Sequence, residues 1–249
     1  MSTSLAVTRL AHSCHIIEIG GRRLLTDPWF TTKPTYYPGE RLAMTVAQLP
    51  KLDAVLVSHE HYDHCDLAAL STYPDLDVPL ICPGTVVDLA KRQGFRRVIS
   101  LEAWEKTALD ELTITATPAK HGVHEITFVV QGGNRAVYFG GDTLAIPELA
   151  EIPKRLGHLD LALLPTNGLC VRPLNDKQVV MNAGQAAELT ATLRPDVAIP
   201  HHYAFNSGWL GDRMITLADP DPRHFADAVA RVASSTTVRM VMPGTRVQL

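Results

Sequence analysis

A chain of 249 residues, 46% of them apolar, has room for a large core, and an α/β protein of this size often folds as one domain. Its formal net charge is −3 and no Lys/Arg block exceeds the pair Arg96-Arg97, so the basic footprint of a nucleic-acid binder is absent. No apolar run approaches the ~18 residues of a membrane span, Met1 to Ser4 lead straight into a strand-like stretch rather than an export signal, and the four scattered cysteines suit a reducing cytoplasm.

Residues 5–27 read as strands over 5–10, 14–19 and 23–26, with Gly20-Gly21 as a hairpin turn. Pro28 stops the third strand and leaves Asp27 at its end. Thr31 to Thr45 is loop-like, with Pro34, Pro38, Gly39 and two tyrosines, which suits a cover over a site or a partner contact. Ala54-Val55-Leu56-Val57 reads as a short buried strand, and it runs into Ser58-His59-Glu60-His61-Tyr62-Asp63-His64-Cys65-Asp66. Three imidazoles and a carboxylate within six residues crowd like groups unless a cation sits among them. His59 and His61 are two apart, so on an extended segment they point the same way and can grip one ion. Asp63 and His64 are neighbours, so they diverge and can serve a second ion. A helical His-Glu-x-x-His site would need histidine where Asp63 stands, so that chemistry is excluded.

Asp66 to Ser71 reads as a short helix that Asp66 can cap, 80–82 as a strand, and 85–93 as a helix closed by Gly94. Segments 98–101, 112–117, 126–130 and 136–139 are β-rich. Two of them end at further ligand candidates: His121, directly after Lys120, and Asp142, in Phe139-Gly140-Gly141-Asp142-Thr143. Glycines beside Asp142 would let the backbone pass close to a metal. The second half alternates a helix over 146–156, a strand over 159–164, a polar loop over 166–181 and an amphipathic helix over 183–193 capped by Asn182. A strand from Val197 ends at His201-His202-Tyr203, a Gly/Pro-rich loop fills 204–220, a helix covers 222–232, and a last strand covers 238–242. With no repeat and no linker, residues 1–249 are expected to form a single domain.

Four strand ends thus carry His59/His61/Asp63/His64, His121, Asp142 and His201/His202, and pooled strand ends on a rigid scaffold are where α/β enzymes place chemistry. His59, His61 and His121 make a three-histidine site. Asp63, His64 and one of His201/His202 make another, and Asp142 has two oxygens with which to bridge them. Imidazole and carboxylate ligands without thiolate suit Zn2+ first, with Mn2+ or Fe2+ as alternatives, and they leave positions open for water. Cys65, inside the motif, reads as a small buried hydrophobe rather than a ligand.

In these motifs the chain resembles the metallo-β-lactamase superfamily, within it the branch containing ascorbate-6-phosphate lactonase and N-acylphosphatidylethanolamine-hydrolysing phospholipase D. Ala11-His12-Ser13 with Thr26-Asp27-Pro28-Trp29-Phe30 resembles that branch's opening, although Ala11 stands where glycine is more usual. His59 to Asp66 matches its His-x-His-x-Asp-His-x-Asp. His121, Gly141-Asp142-Thr143, Met181-Asn182-Ala183, Pro200-His201-His202-Tyr203 and Pro243-Gly244 follow in its order. The likeness implies an α/β fold, a four-layer αββα sandwich of two mixed sheets flanked by helices, with two divalent metal ions at one edge. It gives the metal to His202, the histidine before the tyrosine, rather than His201. It makes Asp27 an acceptor that orients a ligand histidine. His12 is either a similar support or a core histidine, and Asp66 either a support or a helix cap. Tyr203 is either a donor to a reaction intermediate or a packing residue, with the donor role the favoured expectation.

Two divalent ions sharing one water lower its pKa towards ~7, so hydroxide exists at neutral pH to attack a carbonyl or phosphorus centre. Asp63 is placed to orient that hydroxide and accept its proton. The expected function is a metal-dependent hydrolase of a small anionic lactone or ester, with phosphodiesterase as the alternative. A non-hydrolytic di-iron redox protein of the flavodiiron type is the weaker reading, since that group has Glu where His61 stands and an attached flavin domain. Loops 29–45, 166–181 and 204–220 follow strand ends and should border the metals. Arg172 and Arg213 on two of them, and Lys120 beside His121, are candidates to bind the anionic group. The expected partner is a small-molecule substrate, with no nucleic acid and no membrane, and the lactonase likeness makes a homo-oligomer an expectation.

Overall fold

A computed structural model describes residues 4–33 and 37–249; Met1 to Thr3 and, in the aromatic loop, Pro34 to Tyr36 lie outside the described residues. Two seven-stranded sheets lie face to face. The first runs, edge to edge, through Arg246–Gln248, Leu5–Ala11, Cys14–Ile19, Arg22–Thr26, Ala54–Leu56, Leu80–Cys82 and Val98–Ser100. The second runs through Thr237–Val238, Val197–His201, Leu161–Pro165, Arg135–Phe139, Ile126–Gly132, Leu112–Pro118 and Lys106–Leu109.

Side-chain alternation explains the layering. In Leu161–Pro165, Leu161 and Leu163 enter the core between the sheets beside Phe128, Phe139 and Ile199. Ala162 and Leu164 point the other way, into a second core against the helices Ala183–Leu193 and Pro222–Val232. The strand is buried on both faces and is apolar throughout. On the far side of the first sheet, Val55, Leu80 and Cys82 pack under Leu67, Leu70 and Ala90, from the short helices Leu67–Leu70 and Val87–Arg92. The order helix, sheet, sheet, helix is the expected αββα sandwich.

Strand direction then gathers the candidate ligands. Arg22–Thr26 and Ala54–Leu56 run parallel, as do Arg135–Phe139, Leu161–Pro165 and Val197–His201. Their C-terminal ends therefore emerge at one edge, delivering Asp27, the segment from Ser58 to His64, Asp142, and His201-His202.

Several local expectations change. The helix over 146–156 is broken into a 3-10 turn, Pro147–Glu151, and a short α-helix, Ile152–Leu156, because Pro153 removes a backbone donor inside it. The last strand shrinks to Thr237–Val238, and Arg246–Gln248 instead pairs with Leu5–Ala11. The loops over 166–181 and 204–220 contain a three-stranded sheet of Leu169–Val171, Lys177–Gln178 and Ile215–Leu217. Residues 37–38 pair with Phe205–Asn206, which ties the aromatic loop to the second of those segments. Among the described residues no helix is long and apolar enough to cross a membrane.

Candidate metal centre

The loop after Ala54–Leu56 is pinned at its second residue. Ser58 donates its backbone N–H to Asp27 Oδ1 and its hydroxyl to Asp27 Oδ2, both at 2.7 Å. From that anchor His59 and His61 reach one point: His59 Nε2 lies 3.0 Å, and His121 Nε2 3.1 Å, from His61 Nδ1. The His121 Nδ1–H donates to the Val179 carbonyl at 2.7 Å, and a carbonyl only accepts, so His121 Nε2 carries a lone pair. His59 Nδ1 faces the Ser58 hydroxyl at 2.9 Å and Glu125 Oε1 at 3.3 Å, which leaves its Nε2 lone pair facing the same point. One hydrogen on His61 cannot serve both lone pairs. Tetrahedral ligands about 2.0–2.1 Å from a divalent ion stand about 3.3–3.4 Å from one another, close to the spacing found here. Burial pushes His59, His61 and His121 below their ordinary pKa, which keeps them in the neutral form that binds metal.

The second cluster comprises His12, Asp63, His64 and His202, all buried, with one donor atom each inside 4.8 Å of the others. Asp142 Oδ2 lies 2.9 Å from His202 Nε2, 3.2 Å from His64 Nε2 and 4.0 Å from His121 Nε2, so a single oxygen faces both clusters. Asp63 Oδ2 is 3.2 Å from His12 Nε2 and 3.7 Å from His64 Nε2. Behind the cluster, His64 Nδ1–H donates to Asp27 Oδ2 at 2.7 Å, fixing the ring with Nε2 forward. Burial alone would lower the His64 pKa, but Asp142, Asp63 and Asp27 outweigh it and hold it well above the usual value. Burial alone would raise Asp142, but His202 and His64 outweigh it and hold that carboxyl far below the usual range. His64 Nε2 and His202 Nε2 face Asp142 Oδ2 out of line for a good hydrogen bond, and His202 Nδ1 and Asp142 Oδ1 find no partner. Buried polar atoms are rarely left so, and an imidazole and carboxylate set converging on one point fits a divalent cation.

Two residues behind the ligands carry more than the sequence shows. Glu125 is 4% exposed, and its Oε1 accepts the Asp142 backbone N–H at 2.7 Å. Burial, and then the charge of Asp142, raises its pKa well above the ordinary carboxyl value. It sits four residues past His121, where His124 is the more conspicuous side chain, yet His124 is half-exposed and pairs with Glu102 at 3.2 Å. Gly141 has φ +47°, and a Cβ there would collide with Glu125 Oε1 and lie 3.1 Å from Ser58 Cβ. This glycine makes room for a buried carboxyl rather than for a metal.

His12 is fully buried, its ring 4.0 Å from His202 and 4.8 Å from Trp29, and burial, with His202 second, brings its pKa down to about 3. It is held in a left-handed conformation, φ 52°, and its backbone N–H donates to Glu40 at 2.9 Å. Glu40 is gripped in turn by the buried guanidinium of Arg9.

Other residues of these motifs point away from the two clusters. Tyr203 does not line the metal cavity; its ring lies under the Arg9 guanidinium, 4.6 Å away. The cause is His202, whose φ of 59° turns the chain so that the next side chain leaves the site. Asp66 caps its helix through Ala69 N–H and accepts from Phe30 N–H, Thr31 N–H and the Thr31 hydroxyl, so it anchors the aromatic loop instead of a ligand. His201 points away from the cluster to the Ser13 hydroxyl, with 2.9 Å between Oγ and Nδ1. Cys65 lies in the apolar layer under the first sheet, where burial pushes its thiol pKa up.

Over the two clusters opens a cavity of about 330 Å³, floored by His61, Asp63, His121, Asp142 and His202. Its walls are Leu169, Val171, Leu174, Val179, Phe205, Met214 and Ile215. Lys120, Arg172 and Arg213 are exposed and are not among the lining residues; the Arg213 guanidinium rests on Trp209, 5.2 Å from the ring centre.

Two mixed sheets packed face to face under helices, with histidine- and aspartate-bearing strand ends at one edge, define the metallo-β-lactamase fold. Residues 22–203 match the beta-lactamase superfamily domain, and the chain belongs to that family. A metal-dependent hydrolase of Pelotomaculum thermopropionicum is 29% identical across 98% of this chain and 100% of its own. An uncharacterized protein of Mycobacterium tuberculosis is 32% identical across 66% of this chain and 49% of its own, so the chain spans about half the length of that relative. Among solved structures, a metallo hydrolase of the hyperthermophilic archaeon Ignicoccus hospitalis superposes with a TM-score of 0.77 at 26% identity, covering 99% of each chain.

Proposed function

We propose that the chain is a metal-dependent hydrolase holding two divalent ions side by side, one on His59, His61 and His121, the other on Asp63, His64 and His202, with Asp142 between them. The observation behind this reading is the convergence of two clusters of imidazole donors on the single carboxylate of Asp142. Ions bound there supply Lewis acidity and make water acidic enough to attack at neutral pH. Zn2+ suits the donor set first, then Mn2+ or Fe2+.

The chain's own residues do the rest. Asp63, held by His12, stands on the cavity floor where it can accept a proton from the attacking water. Asp27 fixes the ring of His64, the Ser58 hydroxyl with Glu125 beside it orients that of His59, and the apolar walls thin out bulk water around the reacting centre. A carboxylic ester or lactone is the substrate this favours, in keeping with the likeness to the lactonase branch, and phosphodiesters are the alternative.

The test starts with protein purified without added metal. Its metal content should approach two ions per chain, and it should hydrolyse members of an ester, lactone and phosphodiester panel in a chelator-sensitive way. A fully loaded protein that hydrolyses none of them, or that reduces dioxygen instead, would overturn the reading.

A further inference from the structure

We infer that the substrate presents an uncharged, apolar alkyl or acyl group to a wall that neither main sheet provides; this inference rests on the hydrolase reading above. The wall belongs to the small three-stranded sheet. Val171 pairs with Ile215 and Leu169 with Leu217, so on this ladder Leu169, Val171 and Ile215 share one face, and all three line the cavity. Cys170 and Thr216 take the opposite face. Phe205 and Val179 close the sides.

The rim carries the second observation. Leu174 and Met214 line the cavity yet remain 57% and 52% exposed. Large apolar side chains left in water around a concave site mark a surface that an apolar ligand covers. Charge points the same way: among the described lining residues there is no lysine or arginine. The cavity volume, about 330 Å³, lies at the lower end of the range for small-molecule sites, ~300–1,000 Å³. It therefore suits a short chain attached to the ester or lactone group, whose acyl C–O bond water cleaves to a carboxylic acid and an alcohol. Each methylene seated against the wall should raise kcat/KM roughly four-fold, the equivalent of ~0.8 kcal/mol.

The experiment uses metal-loaded protein and p-nitrophenyl acetate, butanoate and hexanoate, with mono-p-nitrophenyl succinate as the anionic counterpart. The expected result is a rise across the series of roughly two-hundred-fold for four added methylenes at that per-methylene gain, and poor turnover of the succinate. Ile215→Ser should flatten the series while metal content stays intact. A second readout does not depend on turnover: hexanamide should shift the 13C-methyl signal of Met214, and succinamate should not. A flat series, or preference for the succinate, overturns the inference while leaving the hydrolase reading in place. An unmoved Met214 signal overturns it even if no ester is cleaved. A responsive Met214 signal with no hydrolysis supports the apolar seat and counts against the reaction alone.

Discussion

Gly141→Ala is the sharpest structural test of the metal centre, because it alters no ligand. Gly141 has φ +47°, a conformation that costs an L-residue about 1–2 kcal/mol. The new methyl would meet Glu125 Oε1 and press on Ser58 Cβ at 3.1 Å. Neither neighbour can give easily, since Glu125 is buried and Ser58 is bonded twice to Asp27. Displacing Glu125 strands the Asp142 N–H in the interior, for another ~1–3 kcal/mol. The sum is about 2–5 kcal/mol, which for a chain of this size is a fall in Tm of roughly 5–20 °C. Scanning calorimetry of metal-free protein measures it, and adding Glu125→Ala should cost less in the Gly141→Ala background than in the unmodified chain, because both changes strand the same Asp142 N–H. The reasoning fails if the double variant loses the full sum of the two single losses, because groups in contact must couple.

Asp142→Asn should lose both metals, since its Oδ2 faces both donor clusters; two tightly held ions per chain in the variant would contradict the bridge. Glu125→Gln should weaken the three-histidine site about 10–100-fold, as loss of a group that orients a ligand usually does, read by competition with a chelator. In native protein a thiol reagent at pH 8 should find about one cysteine, Cys170, and all four after unfolding. Burial raises the Cys14 and Cys82 thiols to about 12, so at pH 8 they stay protonated and unreactive, whereas Cys170 is only half-buried. Reaction of Cys14 or Cys82 in folded protein would show that the apolar layers open more readily than their packing implies.

What the sequence made legible was local. His59, His61, Asp63 and His64 sit on one segment behind an apolar strand, so their spacing alone announces the chemistry, and parallel strand order does the rest. Glu125 was invisible because its burial depends on a pairing far away in the chain, where Ile126 N–H donates to the Ser58 carbonyl and draws the preceding carboxyl under Asp142. The placement of Tyr203 turned on one backbone dihedral at His202, for which a histidine gives no warning. In the sequence the three-stranded sheet looks like a polar loop and a Gly/Pro-rich loop, because its apolar positions alternate in short runs between prolines, asparagines and charges.

That small sheet separates two jobs along the backbone. The side chains that would hold the ions hang from the ends of the main sheets, whose register is locked by two layers of core, while most of the wall comes from an appendage with its own ladder. Segments 169–174 and 214–217 could be transplanted between relatives to change which molecules are accepted while the Val179 carbonyl that holds His121 stays in place. A lineage built this way can diversify its diet by drift in two short stretches, with the reaction itself kept as a fixed inheritance.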